Sequence, residues 1–196
     1  MKEIVLASAS ERRTRILDEC GIRHRVVPSG AEEDSPEGMA AQDIVESNAV
    51  RKAAAVCEKE PEAIVIGADT LVVHGTDIIG KPSGAEAARN LLERFSGSVV
   101  EVCTGLCVID HSNGRRASGT AVSDVTVLPL DREEGDRFFE LMAPYDKAGG
   151  FTIEGVGSFL FDEIRGSYFN VLGLPMMRLR DLFADIGYEI LDFVRK

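Results

Sequence analysis

The chain has 196 residues, 44% of them hydrophobic, which is enough for one sizeable core. Its 22 Lys and Arg stand against 33 Asp and Glu, a formal net charge of −11. A field of that sign repels nucleic acid and anionic membranes, so neither is expected as a partner. A polyanionic ligand then needs a local basic pocket, a divalent cation, or both.

Lys2–Ala7 reads as a strand. It runs into Ser8-Ala9-Ser10-Glu11-Arg12-Arg13, where small hydroxyl residues and two arginines open a helical pattern over Glu11–Cys20. A strand feeding a helix N-terminus, with hydroxyls and Arg forks beside free backbone N–H groups, suits a phosphate group. Ser10 is the expected N-cap, Ile16, Leu17 and Cys20 the inner face, and Gly21 the stop. His24–Pro28 is a short strand, and Ser29–Met39 an acidic loop rich in Gly and Pro. Ala41–Glu58 has helical spacing through Ile44, Val45, Ala49 and Ala53. Ala63–Ala68 is a continuous apolar run, hence a buried strand, and Leu71–Ile79 a hairpin turning at Gly75-Thr76. Ala85–Phe95 is a helix ending at Ser96-Gly97. Ser98–Asp110 and Ser118–Pro129 are long strands joined by a turn at Asn113-Gly114. Asp131–Met142 is a helix, Tyr145–Gly157 a Gly-rich loop, and Phe159–Ile164 a further strand. Ser167–Gly173 is a loop before a last helix, Pro175–Ile186. Alternating strands and helices, with no repeat and no linker, predict a mixed α/β fold of one domain over residues 1–196.

Cys20, Cys57, Cys103 and Cys107 form no CxxC pair and have no zinc-like spacing to histidine. They read as buried free thiols of a reducing compartment. The first apolar run is too short for a signal peptide and no segment approaches membrane-spanning length, so the cytosol is the expected location.

Asp69 ends the most apolar predicted strand, where α/β folds place their clefts. A carboxylate there can hold a metal, activate water, or merely cap the next turn. Glu32-Glu33 is an ordinary solvated loop edge unless the fold carries one of the two to Asp69. Two oxygen ligands with open water positions suit Mg²⁺ or Mn²⁺. Lys52 lies mid-helix, Lys81 between Gly80 and Pro82, and Lys147 before Ala148-Gly149-Gly150. Each alone is a surface lysine; together with Arg12 and Arg13 they can cradle a triphosphate. His24, His74 and His111 have no partner spacing, and Gly149–Gly157 matches neither a Walker loop nor a dinucleotide fingerprint.

Several of these segments fall into one ordered pattern. Leu6-Ala7-Ser8-Ala9-Ser10-Glu11-Arg12-Arg13, Gly67-Ala68-Asp69-Thr70, Gly80-Lys81-Pro82 and Ser96-Gly97 are its first half. Asp146-Lys147-Ala148-Gly149, Ile153-Glu154-Gly155, Gly166-Ser167-Tyr168 and Val171-Leu172-Gly173-Leu174-Pro175 are its second. The set resembles the signature of the Maf nucleotide pyrophosphatases over nearly the whole chain. The resemblance implies an elongated mixed β-sheet with flanking helices, two lobes around a deep cleft, and often a homodimer. It implies hydrolysis of nucleoside triphosphates to monophosphate and diphosphate with a divalent metal, Mg²⁺ or Mn²⁺. It makes Asp69 the proton acceptor that activates water and puts Glu33 and Asp69 by the metal. Ser8, Arg13, Lys52, Lys81 and Lys147 would line the phosphate path, and Arg12, Thr70 and Glu154 would tune the choice of base.

At those three tuning positions the branch acting on dTTP and UTP has Arg, Thr and Gln, and the branch acting on 7-methyl-GTP has Trp, Gln and Glu. This chain has Arg12, Thr70 and Glu154. Glutamine both donates and accepts, whereas an ionised glutamate only accepts, which favours a base edge rich in N–H donors. Glu11 stands where proline is usual just inside the helix. The expected reaction is attack of water on the α-phosphorus, with the basic side chains stabilising the departing diphosphate. Two other readings are a nucleotide-binding regulator without catalysis and a protein-interaction module.

Overall fold

The computed structural model describes residues 2–142, 149–150 and 152–195. In chain order its elements are β1 (Ile4–Leu6), α1 (Glu11–Glu19), β2 (His24–Val26), α2 (Ala41–Cys57), β3 (Ile64–His74), β4 (Asp77–Ile79), α3 (Ala85–Phe95), β5 (Val99–Asp110), β6 (Arg115–Val127), α4 (Arg132–Leu141), β7 (Phe161–Arg165), α5 (Tyr168–Val171) and α6 (Met176–Asp185). The strands form one seven-stranded mixed sheet in the order β2-β1-β3-β5-β6-β7, with β4 beside β3. β1 is parallel to β2 and β3, and all other pairings are antiparallel. The predicted mixed α/β class with flanking helices is what the chain adopts.

The two-residue period of a strand sorts β1 and β3 onto opposite faces. Ile4, Leu6, Ile64 and Ile66 pack with Ile16 and Leu17 of α1 and with Leu179, Leu182 and Phe183 of α6. Val5, Ala7 and Val65 pack with Ala49, Ala53 and Val56 of α2 on the other face. At the far end of the sheet a separate core joins Val72, Val100, Val102, Val125 and Val127 to Phe95 of α3. The long strands therefore carry two cores along their length, and a cleft of about 1380 Å³ draws its lining from both.

Two glycines set how close α2 lies. A Cβ at Gly67 would stand 2.2 Å from the carbonyl oxygen of Ala49, and one at Gly105 2.2 Å from that of Val45. Only a residue without a side chain lets the helix backbone touch the sheet there.

Four expectations need correction. Asp69 does not end a strand: β3 runs on to His74, because Leu71, Val72 and Val73 keep pairing with β5. The predicted Ser167–Gly173 loop contains the short helix α5, whose cap is the Ser167 hydroxyl accepting from the Asn170 N–H. Ser10 stands at the start of α1 in extended backbone, but its side chain caps nothing. β7 begins at Phe161 because residues Gly155–Leu160 form a 3₁₀ turn first.

Candidate active site

The site grows from a break in the edge of β3. On one side β3 pairs with β5 along nearly its whole length. On the other, β1 covers Ile64–Ile66 and β4 covers Val72–His74. Among the described residues the stretch 67–71 between them has no strand partner on that side, because the chain leaves β1 through Ala7–Ser10 to start α1. Backbone polar groups at such a gap need other partners. The Ala68 carbonyl accepts from the Arg13 guanidinium at 3.0 Å and from Lys52 Nζ at 3.5 Å.

On the α2 face of β3, Asp69 is 4% exposed. Its Oδ1 accepts from Lys52 Nζ at 2.7 Å and its Oδ2 from Asn48 Nδ2 at 2.9 Å. Lys52 also donates to Glu33 Oε1 at 2.7 Å, so the fold does carry one loop glutamate to the neighbourhood of Asp69. Asn48 and Lys52 lie four apart on α2, in one stripe with Ile44 and Val56.

On the opposite face of the same strand lies Arg13, which is buried. It donates to the Gly173 carbonyl at 2.8 Å, to Ser8 Oγ at 2.9 Å and to Thr70 Oγ1 at 3.0 Å, besides Ala68. These acceptors are all neutral, so among the described residues no hydrogen-bonded carboxylate cancels the cation. Burial outweighs the pull of Asp69 and Glu33 and draws Arg13 down to about 10, which leaves it charged at neutral pH. A buried cation held by neutral oxygens beside a cleft has the chemistry to receive an anion. The Thr70 hydroxyl is 3.0 Å from that of Thr104, which in turn donates to the Asn170 carbonyl.

Ser8, Arg12, Arg13, Glu33, Lys52, Asp69, Thr70, Lys81 and Glu154 all line the one cleft. Lys81 is exposed at its rim and Arg12 is half-buried. Glu154 is ion-paired with Arg15 of α1. Lys147 lies outside the described residues. Deeper in, the lining turns apolar, with Val72, Val102, Val125, Leu160 and Phe161. All four cysteines are free, and burial before all else pushes Cys103 and Cys107 up to about 12, away from the thiolate form.

The residues fit a divalent metal. Glu33 and Asp69 both reach a single ammonium group at 2.7 Å, so one cation already sits between the two carboxylates. Among the described residues no cluster of three or more His, Cys, Asp or Glu offers a full cage. Two carboxylates with the remaining positions left to water and phosphate suit Mg²⁺ or Mn²⁺ and do not suit zinc.

The sequence reading missed Asn48, Arg15 and the Gly173 carbonyl. Asn48 had a signal, being a polar residue on the inner stripe of α2, four after Ile44 and four before Lys52. Arg15 and the Gly173 carbonyl had none, since both act through contacts more than 130 residues away in sequence.

A family model described as Maf-like protein matches residues 3–186. A dTTP/UTP pyrophosphatase of Desulforamulus reducens is 41% identical over 97% of this chain and 100% of its own length. Another of Dictyoglomus turgidum is 39% identical, covering 97% of this chain and 99% of its own. A solved Staphylococcus aureus Ham1 protein aligns with 64% of this chain and 72% of its own at 15% identity, with a TM-score of 0.43. Matched from residue 3 to 186 and over almost the full length of such relatives, the chain belongs to the Maf family.

Proposed function

We propose that the chain is a nucleoside triphosphate pyrophosphatase acting on pyrimidine nucleotides, dTTP and UTP, and releasing monophosphate and diphosphate. The observation that carries this reading is the convergence beside β3 of a buried carboxylate, Asp69, and a buried cation held by neutral oxygens, Arg13 of α1, in the lining of one cleft. The relatives named dTTP/UTP pyrophosphatase supply the substrate class. Asp69 orients the attacking water at the α-phosphorus and takes its proton. Ser8, Arg13 and Lys52, with Lys81 and Lys147, bind the phosphates and stabilise the charge that develops on the departing diphosphate. Glu33 and Asp69 would hold a divalent cation, which when bound supplies further positive charge to the phosphate oxygens. The apolar depth of the cleft receives the sugar and base, and Arg12 and Glu154 contact the base edge from the rim. Thr70, whose hydroxyl hydrogen-bonds Arg13, acts on base choice through the placement of that guanidinium.

The same reading has the protein working in the cytosol, as one domain and as a homodimer. Free cysteines fit a reducing compartment. Among the described residues no helix is long and apolar enough to cross a membrane. For the dimer, the supporting features are the outer edge of β6, which among the described residues β7 covers only at Asp124–Val127, and the exposed Tyr168 and Phe169 of α5 and Met177 of α6.

The decisive experiment incubates the protein with dTTP, UTP, CTP and GTP, with and without Mg²⁺ or Mn²⁺, and separates the products. Monophosphate and diphosphate from the pyrimidine substrates are expected. Orthophosphate without diphosphate sinks the mechanism, and tight binding without product makes the chain a nucleotide-binding regulator. Asp69→Asn is expected to lower kcat by about 10²- to 10⁴-fold, the usual worth of a positioned general base.

A further inference from the structure

We infer that Asn48 is the positioning residue of this site, fixing the Asp69 carboxylate and tying it to the acidic loop that carries Glu33. The inference rests on the role of Asp69 given above.

Asn48 is 2% exposed, and its amide uses its full hydrogen-bonding capacity. Nδ2 donates to Asp69 Oδ2 at 2.9 Å and to the Asp34 carbonyl at 3.0 Å. Oδ1 accepts from the Asp34 N–H at 3.0 Å and from the Arg51 guanidinium at 3.3 Å. Only one orientation of the amide satisfies this set, because turning it over would aim a donor at the Asp34 N–H and an acceptor at Asp69. Lys52 holds one carboxylate oxygen of Asp69 and Asn48 holds the other. The carboxylate plane is therefore fixed at both ends. Asn48 grips the Asp34 backbone through both its N–H and its carbonyl, one residue after Glu33. Movement of the loop is thus transmitted to Asp69 through one buried amide. A buried asparagine with a purely structural role would need no ligand on the cleft side. This one donates a hydrogen bond to Asp69, which lines the cleft.

The test compares Asn48→Leu and Asn48→Asp with the wild type. Leucine keeps the branching and number of heavy atoms, with somewhat more bulk, and removes every hydrogen bond of the side chain. Aspartate keeps an acceptor for the Asp34 N–H but loses the donors to Asp69 and to the Asp34 carbonyl and sets a second carboxylate against Asp69, so it acts on the carboxylate most directly. Both variants are expected to lose kcat by about 10- to 100-fold, the effect of a small misplacement of a reacting group. KM is expected to stay within about threefold, which marks loss of an interaction made only in the transition state. A kcat close to wild type in Asn48→Asp overturns the inference, as does a rise in KM at unchanged kcat. If Asn48→Leu does not fold, Asn48→Asp decides alone. The crystal structure of Asn48→Asp gives a readout free of turnover: Asp69 is expected in a different rotamer, and an unmoved Asp69 overturns the inference. A wild type that makes no monophosphate defeats the proposed function, and the rotamer of Asp69 still judges Asn48.

Discussion

Glu154 enters the cleft as half of an ion pair. As a lone carboxylate it would only accept, and so would draw in bases with donor-rich edges. Arg15 changes that, because its guanidinium hydrogen-bonds Glu154 Oε1 and supplies the donors that the carboxylate lacks. Both side chains are partly exposed, at 48% and 28%, so the pair contributes little to stability. Its consequence is for selectivity. Arg15→Ala is expected to shift kcat/KM from UTP towards GTP by about two- to fivefold, the worth of a half-exposed charge contact. Competition between the two nucleotides measures it. Arg13 is the opposite case, with a planar fork engaged on four sides. Arg13→Lys keeps the charge but cannot span Gly173, Ala68 and Thr70 together. Each carbonyl left unpaired in the interior costs about 1–3 kcal/mol, so both turnover and thermal stability are expected to fall. Parallel kinetics and thermal melts check this.

At the scale of elements, α2 and β3 make the site by touching. The touch depends on Gly67 and Gly105, the second of which stands opposite Asp69 in the sheet. Gly105→Ala is expected to force α2 outward, costing about 1–3 kcal/mol as overpacking does. In a chain of this size that lowers Tm by roughly 3–10 °C. It also draws Asn48 and Lys52 away from Asp69, so kcat is expected to fall more than stability alone explains. Much of this arrangement was legible in the sequence. The order of strands and helices, the basic turn at Ser8–Arg13, and Asp69 and Lys52 as members of the site are local or motif-borne features. The break in the edge of β3 was not legible. It arises where β1 stops at Leu6 and where β4 ends at Ile79 opposite Val72, and neither boundary is written into residues 67–71. The apolar run to Ala68 looks finished at Asp69 because a charge follows it. In the fold, pairing with β5 carries the strand through that charge. Asn48 escaped for a related reason, since an asparagine in a helix is ordinarily solvated or a cap.

At the scale of the whole molecule, one buried carboxylate ties distant parts of the chain together away from the cleft. Asp110, at the end of β5, accepts from Lys2 Nζ at 2.5 Å, Tyr188 Oη at 2.6 Å, Asn113 Nδ2 at 2.8 Å and Ser112 Oγ at 3.0 Å. Burial alone would raise its pKa, but the hydrogen bonds from Lys2, Tyr188 and Ser112 outweigh it and hold the group at about 2, below its ordinary 3.8. A depressed carboxylate stabilises the fold fully above its unfolded pKa and loses that contribution as the pH falls through its folded one. The share is at most roughly 2 kcal/mol, lost between about pH 4 and pH 2. Urea unfolding of the wild type is expected to weaken over that window, and Asp110→Asn to flatten that part of the profile. The proposed homodimer belongs to this scale too. Sedimentation is expected to give twice the chain mass, and Met177→Glu to return the monomer.

The single strand β3 presents a carboxylate to one face and the hydrogen-bonding partners of a guanidinium to the other. Its chemistry is therefore a matter of parity. Asp69 is odd and faces α2; Ala68 and Thr70 are even, with the Thr70 hydroxyl directed to Arg13. A one-residue insertion or deletion between Ile66 and Asp69 would exchange these allegiances, sending the carboxylate to the arginine and leaving Lys52 and Asn48 without it. Such a change would keep every functional residue in the sequence and still leave no site. A change of length in the loops around this cleft leaves the faces of β3 as they are, whereas an odd change in the stretch before Asp69 does not.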